Sequence, residues 1–153
     1  MSGTLAHNLK ETTDFMLRRD IELFAVATDY GAFEGRTFVE VGRDFPAEYE
    51  RFRTRDPHYA PPGGESAAQF RDRVMGALER IAAEAAGKRV AVVTHGGVLG
   101  IAYRHAMGIP LEARSGHSLA NASLNHVRRV DGRWLIEAWG DVAHLPAESV
   151  GES

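Results

Sequence analysis

The sequence predicts a single α/β domain in which a mainly parallel sheet ends in an antiparallel hairpin. Three observations indicate this class: a long amphipathic helix, an uninterrupted β-branched run directly after it, and a tight-turn dipeptide between two further strand-like segments. Helices that precede strands are typical of parallel sheets, whereas a two-residue turn joins antiparallel strands. The chain is long enough to form one hydrophobic core. We expect the domain to span residues 1–145 and residues 146–153 to form a flexible tail.

The helices are predicted from hydrophobic spacing and from start and stop signals. Over residues 66–86, apolar side chains recur at steps of three and four, which is the spacing of one helix face. Ser66 and Gln69 resemble a capping box at its start, and Gly87 suits a helix end. Three further helices are predicted over residues 11–19, 47–53 and 98–107.

The strands are predicted on either side of the last helix. Residues 89–94 read Arg-Val-Ala-Val-Val-Thr, a continuous apolar run that is typical of a strand covered on both faces. Residues 122–130 and 133–139 flank Asp131-Gly132, a dipeptide that tolerates the positive φ angles of a tight hairpin turn. The order of elements is therefore helix, buried strand, glycine-rich turn, helix and hairpin.

The clearest candidate site is Thr94-His95-Gly96-Gly97, between the buried strand and the helix that follows. Ligands of open α/β sheets collect at the carboxyl ends of strands, and a helix start offers free amides and a positive dipole end. The imidazole of His95 can donate a hydrogen bond or a proton near neutral pH. This pattern predicts an anion site at His95 and Gly96. A structural explanation stays open, in which the glycines permit the bend and the histidine caps the helix.

Five segments occur in a fixed order along the chain. They are Asp29-Tyr-Gly-Ala-Phe-Glu-Gly35, Pro61-Pro-Gly-Gly-Glu-Ser66, Val90-Ala-Val-Val-Thr-His95-Gly-Gly, Asn121-Ala-Ser-Leu-Asn125 and Gly132-Arg-Trp134. Together they resemble the distal part of the histidine phosphatase superfamily, which includes phosphoglycerate mutases. The resemblance implies a three-layer α/β/α phosphoglycerate mutase-like fold. It also implies transfer of a phosphoryl group to a histidine in an Arg-His-Gly motif, with His95 as a second histidine that binds the phosphoryl oxygens. No cofactor or metal is required.

The sequence departs from the family pattern at three places. Arg-His-Gly does not occur in the 153 residues, so we expect a sheet that is truncated at its N-terminus. The place of a phosphate-binding arginine falls on His7 or Asn8, which makes His7 the candidate phosphate ligand there. The place of the acidic proton donor falls on Ala27. Two functions stay open: a phosphatase of small phosphate monoesters, and a non-catalytic relative that binds a phosphorylated ligand or a protein partner.

Composition limits the partners that we expect. The formal net charge is −3 and the basic residues form no patch, so neither nucleic acid nor a membrane surface is an expected partner. The N-terminus has no secretory pattern, and the chain lacks cysteine, which is compatible with a cytoplasmic protein. A missing first strand would expose apolar edges, so we expect homo-oligomers.

The remaining candidate residues have mainly structural interpretations. No spacing among the histidines at positions 58, 105, 117 and 126 is typical of a metal site. Trp134 and Trp139 are expected to pack in the hairpin or the core. Glu65 and Arg73 are expected either to pair with each other or to line the site.

Overall fold

The computed structural model describes residues 28–146, and within them it contains four α-helices and one antiparallel hairpin. In chain order the elements are a 3-10 turn at Gly31–Phe33, α1 at Phe38–Asp44, α2 at Pro46–Arg53, α3 at Ala67–Glu84, α4 at Gly96–Met107, β1 at Leu124–Val130 and β2 at Arg133–Asp141. The predicted helix over residues 11–19 lies outside the described residues.

The amphipathic helix α3 is confirmed together with its start signal. The Ser66 hydroxyl accepts from the Gln69 amide at 3.2 Å, and the Gln69 side chain accepts from the Ser66 amide at 2.8 Å. This reciprocal pair satisfies two donors that the first helical turn leaves without partners. Gly87, just beyond the helix, has a φ of +76°, which is the left-handed conformation that glycine favours.

The helix α1 was not predicted, although its start signal is present in the sequence. The Thr37 hydroxyl accepts from the Glu40 amide at 3.3 Å, and the Glu40 carboxylate accepts from the Thr37 amide at 2.8 Å. This is a second capping box, and it was missed because the seven-residue helix shows too little hydrophobic periodicity. The next helix, α2, begins at Pro46 as predicted.

The main core lies between α3 and α4. Phe70 and Val74 of α3 pack with Val98 and Ile101 of α4, and all four are buried. Val74 is 1% exposed, so the centre of this contact excludes water. Because both helices present one apolar face to the other, α3 fixes the position of the N-terminus of α4, where the candidate site lies.

The C-terminal hairpin is confirmed, and a single carboxylate ties it to α3. Asp131 and Gly132 have φ angles of +47° and +77°, as the tight turn requires. The Trp134 indole donates to Glu79 Oε1 at 2.7 Å, and Arg129 Nε lies 2.7 Å from Glu79 Oε2. Glu79 therefore binds both strands of the hairpin to the middle of α3.

The prediction of a buried strand over residues 89–94 is wrong for this structure. The segment forms no strand within the described residues, and Val90 and Val93 are 44% and 41% exposed. Val92 and Thr94 instead line a narrow apolar gap beside α3 and α4. A β-strand is defined by hydrogen bonds to a neighbour, and residues 28–146 contain no second strand beside this segment. Val92 and Thr94 are therefore partly covered, whereas Val90 and Val93 are exposed.

No helix in residues 28–146 has both the length and the apolar character needed to cross a membrane.

Candidate functional site

The site is built around the N-terminus of α4. His95 is the N-cap residue, with φ −111° and ψ 164°, and its side chain makes no capping hydrogen bond. His95, Gly96 and Gly97 are all exposed. The first amides of a helix have no partners inside the helix, and the first turn of α4 contains no acidic side chain to neutralise its positive end. This end of α4 can therefore receive an anion.

The backbone geometry does not require glycine at either position of the Gly96-Gly97 pair. Neither residue has a left-handed φ. A Cβ atom on Gly96 would lie 3.5 Å from the Leu119 side chain, and one on Gly97 would lie 3.5 Å from Thr28 Oγ1 and 3.6 Å from the Phe70 ring. These are ordinary van der Waals distances to described residues. The structural explanation from the sequence, a bend that needs glycine and a histidine cap, therefore has no support in the geometry.

The loop over residues 28–35 borders the first turn of α4. Thr28 is the residue whose hydroxyl faces Gly97. Asp29 Oδ1 accepts from the Gly31 amide at 2.9 Å, which turns the chain into the 3-10 turn that follows. Glu34 Oε1 accepts from the Tyr30 amide at 3.3 Å, so this exposed carboxylate supports the turn.

The backbone of residues 61–66 packs directly against the backbone of the loop over residues 28–35. The Ala32 amide donates to the Pro62 carbonyl at 2.9 Å. A Cβ on Gly31 would lie 2.4 Å from both the Gly64 nitrogen and the Pro62 oxygen, and one on Gly64 would lie 2.7 Å from the Asp29 oxygen. Glycine is therefore required at both positions. The first two of the five sequence segments thus pack together, and Thr28, which precedes the first of them, lies beside the N-terminus of α4.

A partly buried carboxylate joins these loops to α3. Glu65 pairs with Arg73, which confirms one of the two roles predicted for these residues. The pKa of Glu65 lies below its usual value, chiefly because Arg73 donates hydrogen bonds to it and also because the Asp29 amide does. Arg73 in turn lies over the Phe70 ring, 5.4 Å from its centroid. Glu65 is therefore held as an anion beside the site.

The other described histidines are either exposed or packed among aromatic rings. His58, His105 and His126 are exposed, as expected for surface residues. His117 was expected only as a loop residue, but its ring stacks on Tyr103 at 4.6 Å and meets Trp139 edge-on at 6.0 Å. Burial, and secondarily the charge of Arg104, lowers the pKa of His117. No short motif in the sequence indicates this cluster.

Two candidate positions, His7 and Ala27, lie outside the described residues. Within residues 28–146 no group of three or more histidine or acidic side chains is arranged to hold a metal ion. The Thr94 hydroxyl is buried and has no hydrogen-bond partner in this part of the chain. Thr94 lines the apolar gap beside α3 together with Val98 of the first turn of α4.

Comparison with known proteins gives consistent matches over this region. The family model described as "Histidine phosphatase superfamily (branch 1)" matches residues 26–142. The metal-independent phosphoserine phosphatase of Arabidopsis thaliana is 42% identical over 122 residues, covering 79% of this chain and 49% of that protein. Phosphoglycerate mutase-like protein 4 of the same plant is 38% identical over 117 residues, covering 75% and 50%.

A solved structure agrees with the sequence matches. Bacillus stearothermophilus YhfR superimposes with a TM-score of 0.67 and 27% sequence identity, over 78% of this chain and 59% of that chain. The predicted fold class is confirmed by this match. The chain spans about half the length of the curated relatives it matches.

Proposed function

This chain belongs to the histidine phosphatase superfamily, and we propose that the protein hydrolyses small phosphate monoesters. In this proposal the turn at Thr94–Gly97 holds the phosphoryl group of the substrate. A relative that is named a phosphoserine phosphatase favours hydrolysis over a mutase reaction. The partner is then a small phosphorylated molecule, bound at the N-terminus of α4.

One observation carries the proposal: the glycine pair and His95 are exposed at a helix start, and no contact among residues 28–146 requires glycine or histidine there. Glycine destabilises a helix relative to alanine, so two glycines in the first turn are a cost that the backbone conformation does not explain. A ligand that must approach the amides closely does explain it. The free imidazole of His95 is placed to add a hydrogen bond to the same anion.

The roles of the residues follow from charge. As the bond between phosphorus and the leaving oxygen breaks, negative charge accumulates on the phosphoryl oxygens. The amides of Gly96 and Gly97 and the imidazole of His95 are donors that can stabilise this charge without moving. The family resemblance assigns the nucleophile to an Arg-His-Gly histidine, and the 153 residues contain no such motif. For this chain the proposal is therefore tested first by binding.

The test compares His95→Ala with the wild type, using the full chain. We expect inorganic phosphate to bind the wild type and to bind His95→Ala about tenfold more weakly, which corresponds to the loss of one charge-assisted hydrogen bond. The matched control is His105→Ala, on an exposed residue of the last turn of α4. Titration calorimetry measures both affinities, and hydrolysis of p-nitrophenyl phosphate measures activity.

The melting temperature separates a binding effect from unfolding. Because the His95 side chain makes no capping bond, its removal should leave the melting temperature unchanged. Equal phosphate affinity in wild type and His95→Ala would remove the binding role of His95. Equal hydrolysis rates would remove its catalytic role.

A second function, a non-catalytic relative that binds a phosphorylated ligand or a protein, is favoured by a specific observation. Ala27 occupies the place of the acidic proton donor, and alanine cannot transfer a proton. This function predicts phosphate binding without hydrolysis. The coding sequence upstream of Met1 discriminates the two, since an in-frame Arg-His-Gly there would favour the enzyme.

A further inference from the structure

The carboxylate of Glu65 links three parts of the chain at one point. It accepts a hydrogen bond from the Asp29 amide at 3.0 Å and one from Arg73 Nε at 3.1 Å. A second nitrogen of Arg73 bonds the same carboxylate. Its side chain is 15% exposed, whereas that of Arg73 is 45% exposed, so the carboxylate is the inner member of the pair.

The backbone of Glu65 also binds Asp29. The Glu65 amide donates to the Asp29 carbonyl at 2.9 Å, so one residue binds both the amide and the carbonyl of Asp29. Thr28 comes directly before this fixed residue, and its hydroxyl faces Gly97 in the first turn of α4. The position of Thr28 at the edge of the proposed phosphate site therefore depends on the Glu65 carboxylate.

We infer that Glu65 is a positioning residue, which acts through Asp29 to hold the loop of residues 28–35 against the phosphate-binding turn. This inference rests on the proposed function. Arg73 keeps the carboxylate oriented, and the Asp29 amide transmits its position to Thr28. The proposal assigns Glu65 no contact with substrate.

The alternative is that the pair only stabilises the fold. Arg73 is largely exposed, and ion pairs with an exposed partner contribute little to stability. Misplacing a wall of a binding site by about 1 Å, in contrast, can cost about 100-fold in rate. Loss of Glu65 should therefore affect ligand binding more than folding.

The experiment measures the dissociation constant for inorganic phosphate and the melting temperature of the full chain. The variants are Glu65→Ala, which removes every acceptor, and Glu65→Gln, which keeps an oxygen for the Asp29 amide. We expect Glu65→Ala to weaken phosphate binding about tenfold. Glu65→Gln should remain within about threefold of the wild type, since it keeps the bond that positions the loop.

The matched control is Glu79→Ala. Glu79 also accepts from an arginine and from an N–H group, but it ties α3 to the hairpin and does not contact the two loops. Its loss removes the acceptor of the part-buried Trp134 indole, so the melting temperature should fall, and phosphate affinity should stay within twofold of the wild type. This control separates the general loss of an anchored carboxylate from the loss of loop position.

The outcomes distinguish this inference from the proposed function. If His95→Ala binds phosphate about tenfold more weakly than the wild type, and Glu65→Ala binds it as tightly as the wild type, the positioning role is overturned and the proposed site stands. If Glu65→Gln is as weak as Glu65→Ala, the ion pair alone is responsible and the inference is also overturned. If neither the wild type nor His95→Ala binds phosphate, the proposed site fails, and the inference fails with it.

Discussion

Replacing Gly97 by alanine should stabilise the protein and weaken phosphate binding at the same time. Gly97 is the second residue of α4, its φ is not left-handed, and a methyl group would meet Thr28 and Phe70 at 3.5–3.6 Å. Alanine therefore fits without strain. The gain from replacing a helical glycine is about 0.5–1 kcal/mol, which raises the melting temperature of a domain of this size by about 1–4 °C.

The effect on binding has the opposite sign. In a helix, every Cα–Cβ bond tilts toward the N-terminus, so a methyl group at Gly97 leans over the open amides of the first turn. If the methyl group keeps phosphate away from one amide, the hydrogen bond between that amide and the charged phosphate is lost, which costs about 1.5–3 kcal/mol of binding free energy. This corresponds to a dissociation constant about 10- to 100-fold higher.

The assay is thermal unfolding, followed by titration with inorganic phosphate. The control is Gly76→Ala, a glycine in the middle of α3 where a Cβ would have no neighbour within 4 Å among the described residues. It should give a similar rise in melting temperature with no change in phosphate affinity. If Gly97→Ala binds phosphate as tightly as the wild type, phosphate binding does not require glycine at position 97. If it lowers the melting temperature by several degrees, the glycine is structural.

Three further predictions test other parts of the structure. Gly31→Ala should destabilise the protein by about 3 kcal/mol, because its Cβ would lie 2.4 Å from Gly64 and its φ is left-handed. Urea unfolding measures this loss, and a loss below about 1 kcal/mol would contradict the close contact. Burial holds the pKa of His117 in the folded protein below its usual 6.5. The stability that the neutral imidazole contributes is therefore fully present above pH 6.5, and it is lost as the pH falls through the pKa of the folded state. His117→Phe should therefore flatten the dependence of unfolding free energy on pH between about pH 7 and 5, and an unchanged slope would count against it. The exposed side chains of Val90 and Val93 should promote self-association, which light scattering would detect and Val93→Glu should reduce. A monomeric wild type would refute this.

Elements that depend on local sequence could be predicted closely. The helix α3 begins at its Ser66 capping box, and α4 ends at Gly108, whose φ is +66°. The hairpin turns at Asp131-Gly132. Each signal lies within a few residues of the structure that it specifies, so no knowledge of distant contacts is needed.

Features that depend on distant partners could not be predicted in the same way. Residues 89–94 have the composition of a buried strand, but composition cannot supply the neighbouring strand that burial and pairing require. The link from Glu65 to Asp29 spans 36 residues, and no local pattern could decide between the two roles that we expected for Glu65. The pairing of His117 with Trp139 joins a loop to β2 and has no sequence motif.

The two glycine pairs show why the candidate site could not be assigned from the sequence alone. Gly96 and Gly97 look like Gly63 and Gly64 in the sequence, since each pair lies in a turn before a helix. A Cβ on Gly64 would lie 2.7 Å from the Asp29 oxygen, whereas one on Gly97 would meet its neighbours at ordinary distances. Among residues 28–146, packing therefore explains Gly64 and does not explain Gly97. Because glycine costs helix stability, the unexplained one is the position where a ligand is the better explanation, and substitution by alanine at Gly64 and Gly97 should change stability in opposite directions.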